Sequence, residues 1–217
     1  MKRSSTPVFN ASLFSGSEKA VRTYQKKYAA GFRPGDSVLE LGCGPGVFLE
    51  LLRERSVRST GIDHSDSMVA ECVRKKLNAV KADALQFLQR TKTKYDGIFC
   101  AHLIEHLRPE QAIRLFRLAH GALKPGGRFI VITPNVQDIH VWGETFWLDI
   151  SHVRPYPLPL LGELVRFAGF EVVKGGTDAD TGIKPGRRNF FRYVLYKLRF
   201  GAYYGRGDTF VIGQKKA

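Results

Sequence analysis

From Ser37 onward the chain alternates short runs of β-branched, aromatic and aliphatic residues with stretches whose apolar positions recur at helical spacing. Val38 to Leu41, Thr60 to Asp63, Ala79 to Ala82, Gly97 to Cys100 and Phe129 to Thr133 read as strands, with helices between them. Strands separated by helical stretches predict βαβ units and a parallel sheet whose ligands lie beyond the carboxyl ends of the strands. Before the first strand, Ser17 to Ala30 predicts an amphipathic helix with Ser17 as N-cap and Glu18 near the positive end of its dipole. Pro109 begins another helix ending near Gly121, and Lys124-Pro-Gly-Gly127 predicts a turn into the Phe129 strand. Pro159 to Phe167 reads as a further helix, and Phe170 to Val173 and Thr209 to Gly213 as the last strands. No internal repeat or low-complexity tract interrupts this order, and 217 residues suit one domain with its own core.

Charge adds a second layer. The formal net charge is +14, which predicts attraction to an anion without choosing among nucleic acid, lipid headgroups and acidic metabolites. Lys184 to Ala217 carries nine Lys or Arg against the single acid Asp208. The cysteines, Cys43, Cys72 and Cys100, are odd in number and irregularly spaced, unlike a disulfide framework or a Cys-type zinc site, and fit a reducing cytoplasm. Polar residues follow Lys2 and Arg3, and no apolar run approaches a membrane span, so a cytoplasmic protein is expected, with peripheral contact at the inner membrane face as an extension of that expectation.

The segment Val38-Leu-Glu-Leu-Gly-Cys-Gly-Pro-Gly-Val-Phe-Leu-Glu-Leu-Leu52 reads as strand, glycine turn and helix. Gly42, Gly44 and Gly46 permit a sharp turn and close approach of backbone to a ligand. Asp63 follows Gly42 by 21 residues, at the end of the second strand, where a carboxylate can accept hydrogen bonds from both hydroxyls of a ribose. In order and over most of the chain from Val38 to about Phe170, these features resemble the class I S-adenosylmethionine-dependent methyltransferases. Tyr95-Asp-Gly-Ile-Phe-Cys-Ala-His102 and Leu123-Lys-Pro-Gly-Gly-Arg-Phe-Ile-Val-Ile132 match that family's fourth and fifth strands. The resemblance implies an α/β Rossmann-like methyltransferase fold, a mostly parallel seven-stranded sheet with helices on both faces. It implies S-adenosylmethionine as cofactor, with Glu40, Gly42, Cys43, Gly44 and Gly46 at its methionine and ribose portion, Asp63 at the ribose and His64 among the cofactor-binding residues. Asp83 and Ala84 would sit beside the adenine, and Ala101 at the exit of the fourth strand. The expected division is a helical cap over 1–36, a cofactor-binding core over 37–174 and a basic insertion with the last strand over 175–217. A nicotinamide enzyme would show Gly-x-Gly-x-x-Gly rather than this Gly-x-Gly-x-Gly turn.

His102-Leu-Ile-Glu-His106 follows the fourth strand. In a helix, His102, Glu105 and His106 would project to one side, placing two imidazoles and a carboxylate near the reacting centre as candidate bases. The string also matches the His-x-x-Glu-His zinc-hydrolase pattern, which belongs inside a long helix away from a nucleotide loop. The segment resembles that of ubiquinone-biosynthesis O-methyltransferases, some of which have two glutamates and a histidine in this pattern, with His102 in place of the first glutamate. A divalent metal on His102, Glu105, His106 and Asp149 is the alternative this opens; the expectation here is a metal-free site. Helix-entry residues bonded to backbone are the structural alternative for Glu105 and His106.

Phe146-Trp-Leu-Asp-Ile-Ser-His-Val-Arg-Pro-Tyr156 follows the fifth strand, where a loop can close over an acceptor. His152 is a second candidate base, Arg154 a candidate for bidentate binding of an anionic substrate, and Trp142, Trp147 and Tyr156 candidate walls; a core role for Trp147 and Tyr156 is the structural alternative. With Thr133-Pro-Asn135 and Leu13-Phe-Ser-Gly-Ser-Glu18, this stretch resembles methyltransferases associated with bacterial surface-glycan synthesis.

In the basic segment, Phe190, Phe191, Val194, Leu195 and Leu198 form an apolar stripe at 100° per residue, flanked by Arg188, Arg192 and Arg199. Such a helix can rest on an anionic membrane, grip phosphates, or pack on the domain. The favoured function is O-methylation of a small or carrier-linked hydroxyl acceptor, glycan or quinone-like. An RNA-modifying enzyme is the alternative, motivated by the basic balance and by Phe190, Tyr193, Tyr196, Tyr203 and Tyr204. A non-catalytic, cofactor-binding partner subunit is the third.

Overall fold

The computed structural model describes residues 17–182, 186 and 190–217, so Lys2, Arg3, residues 13–16 of the glycan-type stretch, Lys184 and Arg188 lie outside the described residues. Strands β1 (Ser37–Leu41), β2 (Arg58–Asp63), β3 (Ala79–Lys81), β4 (Tyr95–Ala101), β5 (Leu123–Thr133), β6 (Glu171–Thr177) and β7 (Thr209–Gln214) form one sheet in the order β3-β2-β1-β4-β5-β7-β6. The pairings among β1 to β5 are parallel, whereas β7 runs antiparallel to both β5 and β6. Strand order reverses between β1 and β4, which opens a crevice at their carboxyl ends.

The helices are α1 (Glu18–Ala29), α2 (Val47–Arg53), α3 (Asp66–Arg74), α4 (Ala84–Arg90), α5 (Pro109–Ala122), α6 (Ile139–Gly143), α7 (Leu158–Phe167) and α8 (Phe190–Phe200). Period-two alternation in the central strands feeds a separate core on each face of the sheet. Leu39, Ile98, Cys100, Phe129, Val131 and Val211 pack with α4, α5 and α7. Val38, Phe99, Ile130 and Ile132 pack on the other face with Tyr24, Tyr28, Phe48 and Leu52, from α1 and α2. The Phe48 and Phe99 rings stack at 3.8 Å between centroids.

Ser17 caps α1 by accepting from Ala20 N, and Glu18 occupies its first turn. The other end of α1 is held to the segment after β6: Tyr28 Oη donates to Asp178 Oδ2 at 2.7 Å, and Lys27 pairs with Asp178 and Asp180. The expected turn at Lys124–Gly127 is corrected by the structure, which carries β5 through it. Pairing jumps from Tyr95↔Leu123 to Gly97↔Arg128, so the extra residues bulge outward. Gly126 takes a φ of +77°, and the bulge is held by hydrogen bonds from Gly126 N to Lys215 O and from Lys215 N to Gly127 O. β6 continues past Val173 to Thr177 because β7 supplies it with a partner that local sequence does not reveal.

Gly97 is the tightest point between β4 and the segment after α1. A Cβ there would sit 2.1 Å from Phe32 Cε1. Gly97→Ala is therefore expected to destabilise the fold by about 1 to 3 kcal/mol, the usual penalty for overpacking a core. A urea denaturation curve with unchanged slope and a lower midpoint would show it; an unchanged midpoint would mean that the Phe32 ring moves aside freely.

Candidate active site

The glycine turn leaves β1 with positive φ at Gly42 (+73°), Gly44 (+50°) and Gly46 (+83°). A Cβ on Gly44 would meet nothing within 4 Å, so the turn borders open space, whereas one on Gly46 would fall 2.6 Å from Leu77 Cδ1. Gly44 thus leaves open space beside the turn, whereas Gly46 is required by packing. Cys43 is buried with Cys72, Leu49 and Leu77, and burial, followed by the charge of Glu40, pushes its thiol up.

Two acids flank this space. Asp63 accepts from Gly44 N and Ser65 N, both at 2.9 Å. Glu40 is buried at the end of β1, and its Oε2 has no hydrogen-bond partner in the protein. Burial and then the Asp63 charge push the Glu40 carboxyl well above the usual range. An orphaned buried carboxyl oxygen and an open glycine turn suit a ligand that brings hydroxyl and amino donors, as a nucleoside joined to an amino acid does. Asp83 caps α4 by accepting from Gln86 N at 2.9 Å, with Ala84 opening that helix. The His64 ring is 88% exposed and 3.7 Å from Asp63, which places it at the rim.

At the exit of β4 the expected helix does not form. His102, directly after Ala101, has a left-handed φ of +52°, and Ile104–His106 make a single 3-10 turn. His102 and His106 therefore diverge, which corrects the expectation that both imidazoles project to one side. His102 Nδ1 lies 3.3 Å from Glu105 Oε1, and its Nε2 lies 3.3 Å from Asp208 Oδ2. Burial alone would lower its pKa; the Asp208 charge, helped by Glu105, overcomes this and holds the imidazole well above its ordinary value. Burial would raise Glu105, but the facing His102 imidazole, at ion-pair distance, holds it below the carboxylate range. Its other oxygen accepts from Thr133 Oγ1 at 3.1 Å.

His106 turns to the loop after β5. Its Nδ1 is 2.9 Å from Ser151 Oγ, and Ser151 donates its one hydroxyl proton to Asp149 Oδ1 at 2.6 Å. Ser151 must then accept from His106 Nδ1–H, which leaves the His106 Nε2 lone pair free. Asp149 is set by accepting from Ser151 N as well, and it stays below the usual carboxylate range: burial would raise it, while its two bonds from Ser151 lower it. His152 packs against His106 with ring centroids 4.7 Å apart. Its Nδ1 must donate to the Phe146 carbonyl at 2.6 Å, and its Nε2 faces Asp149 Oδ2 at 4.0 Å. Glu105, His106 and His152 each offer a ligand atom within 4.8 Å of the others. The donor set that the structure gathers is this one, rather than His102, Glu105, His106 and Asp149.

Of the candidate walls, Trp147 is 54% exposed and touches Trp142 edge-on at 5.4 Å. Arg154 is exposed and lies over the Tyr156 ring at 5.8 Å. Tyr156 itself is 1% exposed, packed in the core with its Oη reaching Leu107 O, which corrects its expected place in the acceptor wall. Ser151 and Asp208 were not expected here. Ser151 was visible within the quoted loop as the hydroxyl between Asp149 and His152; Asp208 carries no local signal.

A family model described as "Methyltransferase domain" matches residues 17–174. The chain is 31% identical over 107 residues to a ubiquinone biosynthesis O-methyltransferase of Pseudomonas aeruginosa, covering 46% of this chain and 45% of that protein. The same name and identity recur in Coxiella burnetii over 44% of that protein. The chain thus spans just under half the length of the curated relatives it matches. Among solved structures, a SAM-dependent methyltransferase from Archaeoglobus fulgidus superposes with a TM-score of 0.76 at 26% identity, covering 94% of this chain and 96% of that one. A Haloferax volcanii putative methyltransferase complex with the Trm112 activator gives 0.72 at 21% identity, covering 99% of this chain and 100% of that one, a likeness of fold.

Asp63→Ala is expected to weaken S-adenosylhomocysteine binding by about 1 to 3 kcal/mol, the range for losing hydrogen bonds to a charged acceptor. Titration calorimetry reads this directly, and equal affinities would remove Asp63 from the cofactor site. The raised His102 predicts a pH effect of defined sign. Its stabilisation is fully present below the ordinary histidine value near 6.5 and is lost as pH rises through the elevated folded value. The gap in melting temperature between wild type and His102→Gln should be widest near about pH 5.5 and narrow on the alkaline side; a gap that grows with pH would contradict the paired imidazolium.

Proposed function

We propose that this chain, which belongs to the methyltransferase-domain family and to its S-adenosylmethionine-dependent enzymes, methylates a hydroxyl oxygen of a small or carrier-linked acceptor. The observation that carries the reading is the Asp149–Ser151–His106 relay, which ends in an unpartnered imidazole nitrogen beside the β4 exit. S-adenosylmethionine, when bound, supplies an electrophilic methyl group on a sulfonium. Glu40, Asp63 and the Gly42–Gly46 turn would hold it, with the His102 to Asp208 pair beside the carboxyl end of β4.

A hydroxyl is a weak nucleophile until its proton has somewhere to go. His106 Nε2 accepts that proton, and the resulting imidazolium keeps its Nδ1–H on Ser151, backed by the Asp149 carboxylate. The relay also fixes ring orientation, so the acceptor oxygen is presented along one line, which matters most in an in-line displacement. The His152 ring packs on His106 as a second candidate base, and the exposure of Trp147 and Arg154 supports contact with an apolar ring and an anionic group. The name carried by the Pseudomonas and Coxiella relatives supports a quinone-like phenol as acceptor, and the Asp149 to Tyr156 stretch supports a glycan as the other form. A second reading, with Glu105, His106 and His152 holding a divalent cation that acidifies the hydroxyl, is favoured by their proximity and by the His152 tautomer.

With a phenolic acceptor such as a catechol, His106→Ala is expected to lower kcat by about 10² to 10⁴ with S-adenosylhomocysteine affinity unchanged. Ser151→Ala should give a smaller loss that is partly recovered at alkaline pH, where the acceptor ionises without help. Activity that survives EDTA alongside these losses supports the base, whereas activity abolished by EDTA and restored by Mg²⁺ or Zn²⁺ supports the cation. Full activity in both variants would sink the two readings together.

A further inference from the structure

α8 turns its apolar stripe to solvent. Phe191 is 75% exposed, Leu198 78%, Phe190 58% and Leu195 51%, and the helix has no buried residue. Its other side is the one that meets the protein. Tyr196 stacks on Tyr204 at 5.3 Å and on Phe200 at 5.8 Å, Tyr193 packs against Tyr204 at 5.8 Å, and Lys197 Nζ donates to Tyr204 O. At 100° per residue, Arg192 and Arg199 lie along the border of the exposed stripe. Residues 190–207 include Arg192, Lys197, Arg199 and Arg206 and no acid.

The segment after this helix meets α6, the helix that precedes the proposed acceptor loop. Tyr204 meets His140 of α6 at 6.5 Å, and Arg206 N donates to the buried Asp138 Oδ2 at 2.5 Å. α6 and the following turn expose a second apolar group, Trp142, Trp147 and Ile150, the last at 77%. The one acid between those tryptophans, Glu144, is paired with His140 at 3.2 Å.

We propose that α8, together with the Trp142 to Ile150 shoulder, docks on the surface of an anionic bilayer. Aliphatic and phenyl groups between arginines match an interface where acyl chains lie beneath phosphates, and they bring binding energy from apolar burial that a polyanion in water cannot offer. The tyrosines that could stack nucleic-acid bases, Tyr193, Tyr196 and Tyr204, are occupied with one another, which disfavours RNA as the occupant. Docking itself stands on the exposed face and does not require the O-methylation reading.

The test is flotation of the full chain with vesicles of equal parts phosphatidylcholine and phosphatidylglycerol, beside vesicles of phosphatidylcholine alone. Wild type should float with the anionic vesicles only. The double variant Phe191→Ser/Leu198→Ser, at exposed positions, should bind at least about ten-fold more weakly, and Arg192→Gln/Arg199→Gln should lose the preference for anionic lipid. Trp142 and Trp147, the chain's two tryptophans, should shift their emission to the blue on anionic vesicles. Absence of flotation by wild type overturns the proposal. So does equal flotation by the Ser double variant, or a preference for single-stranded RNA that this variant retains. So too does a wild-type dimer in sedimentation equilibrium that the Ser variant abolishes while wild type leaves vesicles unbound. Because no acceptor or cofactor is present, failure here leaves the proposed chemistry untouched, and failure of the His106 variants leaves docking untouched.

Discussion

A carboxylate sealed from water has to be matched by the groups around it, and Glu105 is such a carboxylate. It is fully buried, with one oxygen against His102 and the other accepting from Thr133, the last residue of β5. Its main-chain carbonyl accepts from Val153 N and Arg154 N, so the same residue holds the end of the acceptor loop. His102 in turn reaches Asp208, just ahead of β7. The exit of β4, the end of β5, the entry to β7 and the loop carrying Asp149, Ser151 and His152 therefore share one electrostatic anchor. A buried charge that loses its partner is strongly destabilising, so these four pieces of backbone are held where the chemistry needs them by the requirement to keep Glu105 matched.

That anchor separates two regions with different demands. On the β1 side, glycine geometry and the acids Glu40 and Asp63 present a shallow polar cradle. On the β5 side, the ring orientations of His106 and His152 are set by a serine and a main-chain carbonyl. Neither histidine has to move to be ready. Preorganisation of this kind suits a reaction in which alignment supplies most of the rate.

The strand pattern, the glycine turn and Asp63 were legible because each is a local statement: alternation, missing Cβ atoms, and an acid at a strand end. The β4 exit was not. His102, Glu105 and His106 share a side only if the segment is helical, and the left-handed His102 followed by a single 3-10 turn sends the two imidazoles to different partners. Asp208 enters because the antiparallel β7 returns to the same crevice, a fact of topology that residue spacing does not encode. Lys124-Pro-Gly-Gly127 has the composition of a turn, and only the hydrogen bonds from Lys215 explain why it stays with the strand. For α8 the stripe was readable, while the side it presents to solvent depends on tyrosines that pair with Tyr204 beyond the helix.

The position of β7 bears on how the chain is made. β5 and β6 are neighbours in sequence order but are not paired with each other; each is completed by β7, which is inserted between them. On a ribosome, β1 to β5 and their helices can assemble while residues 209–214 are still unmade, leaving the β5 edge with Ile130 and Ile132 uncovered. Until residues 208–214 emerge, the nascent chain carries an open apolar edge, and it lacks Asp208, which neighbours His102. Assembly of the crevice and closure of the sheet are thus one event in synthesis.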